Sequence, residues 1–130
     1  MTRVFVCDDS PELRLLLRSF LEAEGDLAVV GEAGDCDGLA AAVRESAADV
    51  LVLDLSMPGA DPLAALPALR RAAPDLGILV LSGFDHGRMA ATALALGADR
   101  YLEKTCGMEL VRTTVRVVAA SARSRGEGGG

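Results

Sequence analysis

The chain has no tryptophan, one tyrosine and three phenylalanines among 130 residues. Its core must therefore be built from Ala, Val and Leu, and an aromatic platform for stacking nucleobases is not expected. Histidine is limited to His86, which rules against a His-based zinc set. The three cysteines, Cys7, Cys36 and Cys106, are scattered with no CxxC pair, favouring reduced thiols over a disulfide framework. No apolar stretch approaches the roughly 20 residues that cross a bilayer, and the N-terminus begins a strand instead of a signal sequence. A soluble cytoplasmic protein with no membrane partner is the expectation. Positive charge is also short: 13 Lys and Arg face 19 Asp and Glu, for a net charge of -6. Nonspecific nucleic-acid affinity rests on neutralising phosphates, so any contact with DNA would need a separate domain.

Short apolar runs alternate with segments of helical period, the pattern of βα units and a parallel sheet. Five such repeats fit one domain of this length. The pattern predicts strands over about Arg3–Cys7, Leu27–Glu32, a third ending at Asp54, Gly77–Ser82 and Asp99–Lys104. Helices are predicted over about Pro11–Glu24, Asp37–Ala47, a third reaching Ala72, His86–Leu96 and Met108–Ala122. Pro62 and Pro67 both precede Ala72, and an interior proline costs about 3 kcal/mol, so the third helix is expected to begin late or bend, with Pro67 in its first turn. Residues 123–130 lack apolar periodicity and are expected to form a disordered tail or linker remnant.

Acidic residues occupy the carboxyl ends of two buried runs: Asp8 and Asp9 close Val4-Phe5-Val6-Cys7, and Asp54 closes Val50-Leu51-Val52-Leu53. Open α/β sheets present their ligand sites at that edge. Two unit charges ~4 Å apart repel by about 4 kcal/mol at an effective dielectric of 20, so three carboxylates there call for a bound cation, and an all-oxygen site suits Mg²⁺. Asp54 can then hold the metal only, or act as a nucleophile taking a phosphoryl group. Ser82 with the small Gly83 after it, and Lys104 as a compact phosphate partner, tip the balance to the nucleophile. The Met57-Pro58-Gly59 turn would leave the Ser56 carbonyl free as a further metal ligand.

These residues, in this order and at these separations, resemble the receiver domains of two-component response regulators, the CheY-like family, over about Thr2 to Ala122. The resemblance implies a flavodoxin-like (βα)5 fold, a doubly wound five-stranded parallel sheet of order 2-1-3-4-5, with a receiver at 1–122. It implies that Asp8, Asp9, Asp54 and the Ser56 carbonyl hold Mg²⁺ and that Asp54 accepts phosphoryl from a sensor histidine kinase. Ser82 would be the switch hydroxyl, Lys104 the phosphate partner and Tyr101 the aromatic rotamer that reports the state. Such a protein is a phosphoacceptor switch that catalyses its own phosphorylation and dephosphorylation, not an enzyme acting on other substrates. Thr105 stands where many members have proline, as in receivers attached to DNA-binding domains of the LuxR type, which points to transcription regulation through a domain outside this chain. Asp61-Pro62-Leu63 replaces the more usual Asp-Gly-Leu.

Alternatives from other classes are a small Mg²⁺-dependent phosphatase with an aspartyl nucleophile, disfavoured by adjacent Asp8-Asp9 and the lack of room for a cap, and a phosphorylation-independent interaction module. Individually, Asp8, Asp9 and Ser82 also suit helix caps, and Arg112, Arg116, Arg123 and Arg125 suit a solvated face or a partner surface. His86 suits a surface position or helix start. Phe84 is placed to shield an acyl phosphate from water and slow its decay. Homodimerisation is open, through the last two βα units or the first and fifth helices.

Overall fold

A computed structural model describes residues 1–57, 61–83 and 87–128. In it β1 (Thr2–Cys7), β2 (Leu27–Ala33), β3 (Val50–Asp54), β4 (Gly77–Ser82) and β5 (Arg100–Glu103) alternate with α1 (Pro11–Glu22), α2 (Leu39–Ser46), α3 (Pro62–Ala72), α4 (Gly87–Leu96) and α5 (Met108–Gly128). The strands form one sheet of order β2-β1-β3-β4-β5, and every pairing is parallel. Among the described residues no helix is long and apolar enough to cross a membrane.

The continuous apolar runs are explained by burial on both faces. Every residue of β3 and β4 is buried, and because side chains alternate across a strand, each strand feeds two cores. Leu51, Leu53, Ile78 and Val80 face Leu39, Val43, Leu66 and Leu69 of α2 and α3. Val50, Val52, Leu79 and Leu81 face Leu17 and Leu21 of α1 and Val115 and Val118 of α5. Each buried Leu or Val contributes about 1.5–3 kcal/mol, so the middle strands are the rigid part of the sheet. The edge strands β2 and β5 carry exposed residues, Glu32 on one and Arg100 and Glu103 on the other. A bulge shifts the β1–β2 register between Val4 and Phe5, where Phe5 pairs with Gly31. A Cβ on Gly31 would lie 2.5 Å from the Phe5 ring, so only glycine lets that ring cover β2.

Local signals set the helix starts. Ser10 caps α1, its Oγ accepting from the Leu13 N–H at 3.2 Å, with Pro11 in the first turn. The third helix departs from expectation: it starts at Pro62, with Asp61 as the cap accepting from the Leu63 N–H at 3.0 Å, and Pro67 lies inside it. Pro62 suits a position whose N–H has no helical partner. The interior proline is held because Leu66 and Leu69 around it are buried at 0% and 1% exposure. At the other end, α5 continues beyond Ala122 to Gly128, where a disordered tail was expected. Its apolar stripe stops with Ala119 and Ala122, but backbone bonding propagates through residues such as Ala and Arg without it.

At the amino edge of the sheet, Arg70 on α3 ties three segments together. Its guanidinium donates to the Pro74 carbonyl at 3.1 Å, the Leu76 and Gly97 carbonyls at 2.6 Å each, and Asp99 Oδ2 at 3.1 Å. Asp99 Oδ2 also accepts from the Ile78 N–H at 2.7 Å. Arg70→Met should cost about 2 kcal/mol or more, since several part-buried carbonyls lose their donor together. A denaturant titration showing wild-type stability would contradict this.

Candidate functional site

Register brings the carboxyl ends of the strands into line. Cys7 pairs with Leu53, so Asp8 and Asp54 emerge side by side; Ser82 pairs with Glu103, so Lys104 emerges one position beyond Ser82. Lys104 opens a short 3₁₀ turn at Lys104–Cys106, which ends β5 as the lysine leaves the sheet. Asp8, Asp54 and Ser82 are each buried to within 1% exposure, whereas Asp9 is exposed. Ligand oxygens of Asp8, Asp9 and Asp54 all lie within 4.8 Å of one another.

Each buried carboxylate has one anchored oxygen and one that is left over. Asp8 Oδ1 accepts from the Ser10 N–H and Asp54 Oδ1 from the Ser56 N–H, both at 2.8 Å. Asp54 Oδ2 and Asp8 Oδ2 lie 2.9 and 3.3 Å from Lys104 Nζ. Both oxygens are buried and neither has a partner beyond this ammonium, so the ion pair with Lys104 is what balances them. Burial raises the pKa of Asp8, and the neighbouring Asp54 adds to that rise against the opposing pull of the Ser10 N–H and Lys104. For Lys104, partial burial acts to lower the pKa, but pairing with Asp54 and then Asp8 outweighs it and the net shift is upward. One ammonium thus serves two buried carboxylates, with a third, Asp9, close by. Two buried oxygens with no partner beyond this ammonium, beside a third carboxylate, fit a hard divalent cation of the Mg²⁺ type.

The remaining expected residues fall near this cluster in different ways. Ser82 ends β4 next to it. Tyr101 is half-buried, paired with Val80 and packed at the margin of the core under α2, α3 and α4. Pro58, Gly59, Phe84 and His86 lie outside the described residues, and with them the turn after Met57 and the shielding expected of Phe84. The side chain of Arg125 is likewise outside them. Cys7 is a core thiol, its pKa pushed up by burial, which suits an inert residue.

Two contacts had no signal in the sequence. Ser56 Oγ accepts from the Gly83 N–H at 3.1 Å, joining the chain after Asp54 to the chain after Ser82. Arg14 of α1 donates to the Asp8 carbonyl. Two arginines of α5 are also committed within the chain: Arg112 pairs with Glu24 at 3.1 Å and lies over the Phe20 ring, and Arg116 pairs with Glu24 and Asp26 at 2.9 and 2.8 Å. They bind α5 to the end of α1, which leaves little of them for a partner.

A 2-1-3-4-5 parallel sheet with three aspartates, a serine and a lysine gathered at its carboxyl edge defines a receiver. The chain belongs to the response regulator receiver domain family, whose model matches residues 4–116. It is 36% identical over 128 residues to the transcriptional regulatory protein LiaR of Bacillus subtilis, covering 98% of this chain and 58% of that protein. It is 35% identical over 120 residues to the DNA-binding transcriptional activator DevR/DosR of Mycobacterium tuberculosis, covering 92% and 55%. The chain therefore spans little more than half the length of these relatives. The signal receiver domain of the putative response regulator NarL from Mycobacterium tuberculosis superposes with a TM-score of 0.85 at 30% identity, covering 92% of this chain and 96% of that one.

Proposed function

We propose that residues 1–122 act as a phosphoacceptor switch in which Asp54 takes a phosphoryl group from a sensor histidine kinase. The observation that carries this reading is Asp54 itself: a buried carboxylate with one oxygen anchored by the Ser56 N–H and the other facing Lys104 Nζ at 2.9 Å. Anchoring fixes the carboxylate plane, and the second oxygen is left as the nucleophile. Its attack on phosphorus forms the O–P bond as the P–N bond to the donor imidazole breaks; the electron pair of that bond stays on the imidazole nitrogen, which takes a proton from water. Lys104 stays beside the oxygens as charge moves from carboxylate to phosphoryl group. Asp8, Asp9, Asp54 and the Ser56 carbonyl would hold Mg²⁺, which when bound supplies the positive charge that neutralises the phosphoryl oxygens.

Once Asp54 carries the group, the Ser82 hydroxyl and the Lys104 ammonium gain a new oxygen partner, and Tyr101 follows as the α4–β5–α5 face repacks, a shift between two populated conformers. For output we propose transcription regulation through a DNA-binding domain outside residues 1–122, in line with the names of the two regulators above. Residues 123–130 lie outside the proposed receiver unit. Of the two homodimer surfaces considered, we propose the one on α1 and α5, a reading supported by the exposure of Leu15, Leu16, Leu110 and Val117. The test of the chemistry is incubation with Mg²⁺ and phosphoramidate, followed by intact-mass measurement. An adduct of one phosphoryl group is expected in the wild type and none in Asp54→Asn. An adduct that persists in the variant would overturn the assignment.

A further inference from the structure

We propose that Arg14 is a positioning residue for the magnesium site, acting through the backbone of Asp8; the inference rests on the magnesium reading above. Three polar atoms of Asp8 are tied down. Its N–H donates to the Ala33 carbonyl at 2.9 Å, its Oδ1 accepts from the Ser10 N–H at 2.8 Å, and its carbonyl accepts from Arg14 Nη1. Only Oδ2, the oxygen that faces Lys104, is left over. The Asp8 carbonyl belongs to the peptide plane that also carries the Asp9 nitrogen, so the contact from Arg14 sets the plane from which Asp9 departs. Asp9 is exposed, and rotation of that plane would carry its carboxylate away from the other two.

Arg14 is itself held from two sides. Its backbone N–H donates to the Ser10 carbonyl at 3.0 Å in the first turn of α1, and its Nε pairs with Glu32 Oε1 of β2 at 3.2 Å. Arg18 takes the other Glu32 oxygen at 2.8 Å, whereas the Asp8 carbonyl is bonded by Arg14. The planar guanidinium fork lets one side chain bind Glu32 and the Asp8 carbonyl together. A lysine ammonium on its flexible stem lacks that fork and can satisfy only one of them well. The arrangement joins α1, β1 and β2 at the point where the metal ligands begin, a supporting contact of the kind that orients ligands in metal sites.

The test is a Mg²⁺ titration of the unphosphorylated protein, followed by amide chemical shifts around Asp8 and Asp9. Arg14→Met should raise the half-saturating Mg²⁺ concentration by about tenfold. Arg14→Lys should recover part of that loss, and Arg18→Met should titrate like the wild type, although it removes the other half of the same Glu32 pairing. Phosphoramidate loading should show the same split, with the Mg²⁺ requirement shifted in Arg14→Met and the plateau rate at saturating Mg²⁺ retained. Glu32→Gln, a milder change, should shift the requirement in the same direction and stands in if Arg14→Met does not fold. A wild type that does not respond to Mg²⁺ would overturn the magnesium reading. A wild type that responds, with Arg14→Met and Glu32→Gln titrating identically to it, would overturn this inference and leave that reading standing.

Discussion

Replacing Lys104 by methionine is expected to slow phosphoramidate loading of Asp54 by about 10²- to 10³-fold at saturating Mg²⁺, the loss typical of removing one preorganised group that stabilises transition-state charge. Methionine keeps the apolar stem, so the change removes little but the ammonium, which lies 2.9 Å from Asp54 Oδ2 and 3.3 Å from Asp8 Oδ2. Folding should suffer in the same variant. Without Mg²⁺, Asp8 and Asp54 would be left buried with no counter-charge, and removing one partner of a buried ionic set costs about 3–5 kcal/mol. Lowering the pH should return part of that loss by protonating Asp8, whose pKa burial raises, and Mg²⁺ should return part of it at neutral pH by replacing the lost charge. Lys104→Arg should fall between, because a planar fork does not occupy the place of a compact ammonium between two carboxylate oxygens. An unchanged loading rate in Lys104→Met would remove the lysine from the chemistry, whatever happened to stability.

The parts of this molecule legible in the sequence are those that each strand announces alone. Val4–Cys7, Val50–Leu53 and Ile78–Leu81 are continuous apolar runs because both faces of the middle strands are covered. A polar residue at the end of such a run has to be at the sheet edge. That logic located Asp8, Asp54, Ser82 and Lys104, and the structure brings Asp8, Asp9, Asp54 and Lys104 within ion-pair or ligand range. The start of α3 is not legible because two prolines compete for a first helical turn, and burial of Leu66 and Leu69 with capping from Asp61 decides between them. The end of α5 is not legible because periodicity reports packing, and a helix can outlast its packed stripe. Arg14 on Asp8, Ser56 on Gly83 and Arg70 on Asp99 were invisible for a different reason. Each joins segments whose relative height is set by strand register, and no local pattern encodes that.

Asp8, assigned above to the proposed magnesium site, is expected to work against the fold. Asp8 is attracted to Lys104 across 3.3 Å and repelled by carboxylates of Asp9 and Asp54 no more than 4.8 Å away. At an effective dielectric of 20 these come to about 5 kcal/mol of attraction against about 3.5 kcal/mol from each repulsion, and burial adds to the unfavourable side. Asp8→Asn should therefore stabilise the Mg²⁺-free protein at neutral pH, by about 1–2 kcal/mol after screening of the exposed Asp9. It leaves Asp54 and Lys104 as a one-to-one pair. The pH dependence follows from the raised pKa of Asp8. In the window between its ordinary value near 3.8 and the raised folded value, the folded state binds more protons than the unfolded state, so this group's contribution to stability falls as pH rises. The loss is complete above the folded pKa. Asp8→Asn should flatten that slope. Mg²⁺ should reverse it in the wild type, adding about 1.4 kcal/mol at ten times its dissociation constant, and should add much less to the variant, which has lost a ligand charge. Denaturant titrations across this pH range, with and without Mg²⁺, measure each of these quantities. A variant less stable than the wild type in Mg²⁺-free buffer at neutral pH would mean that the Lys104 pairing outweighs burial and repulsion, and that the acidic cluster stabilises the fold on its own.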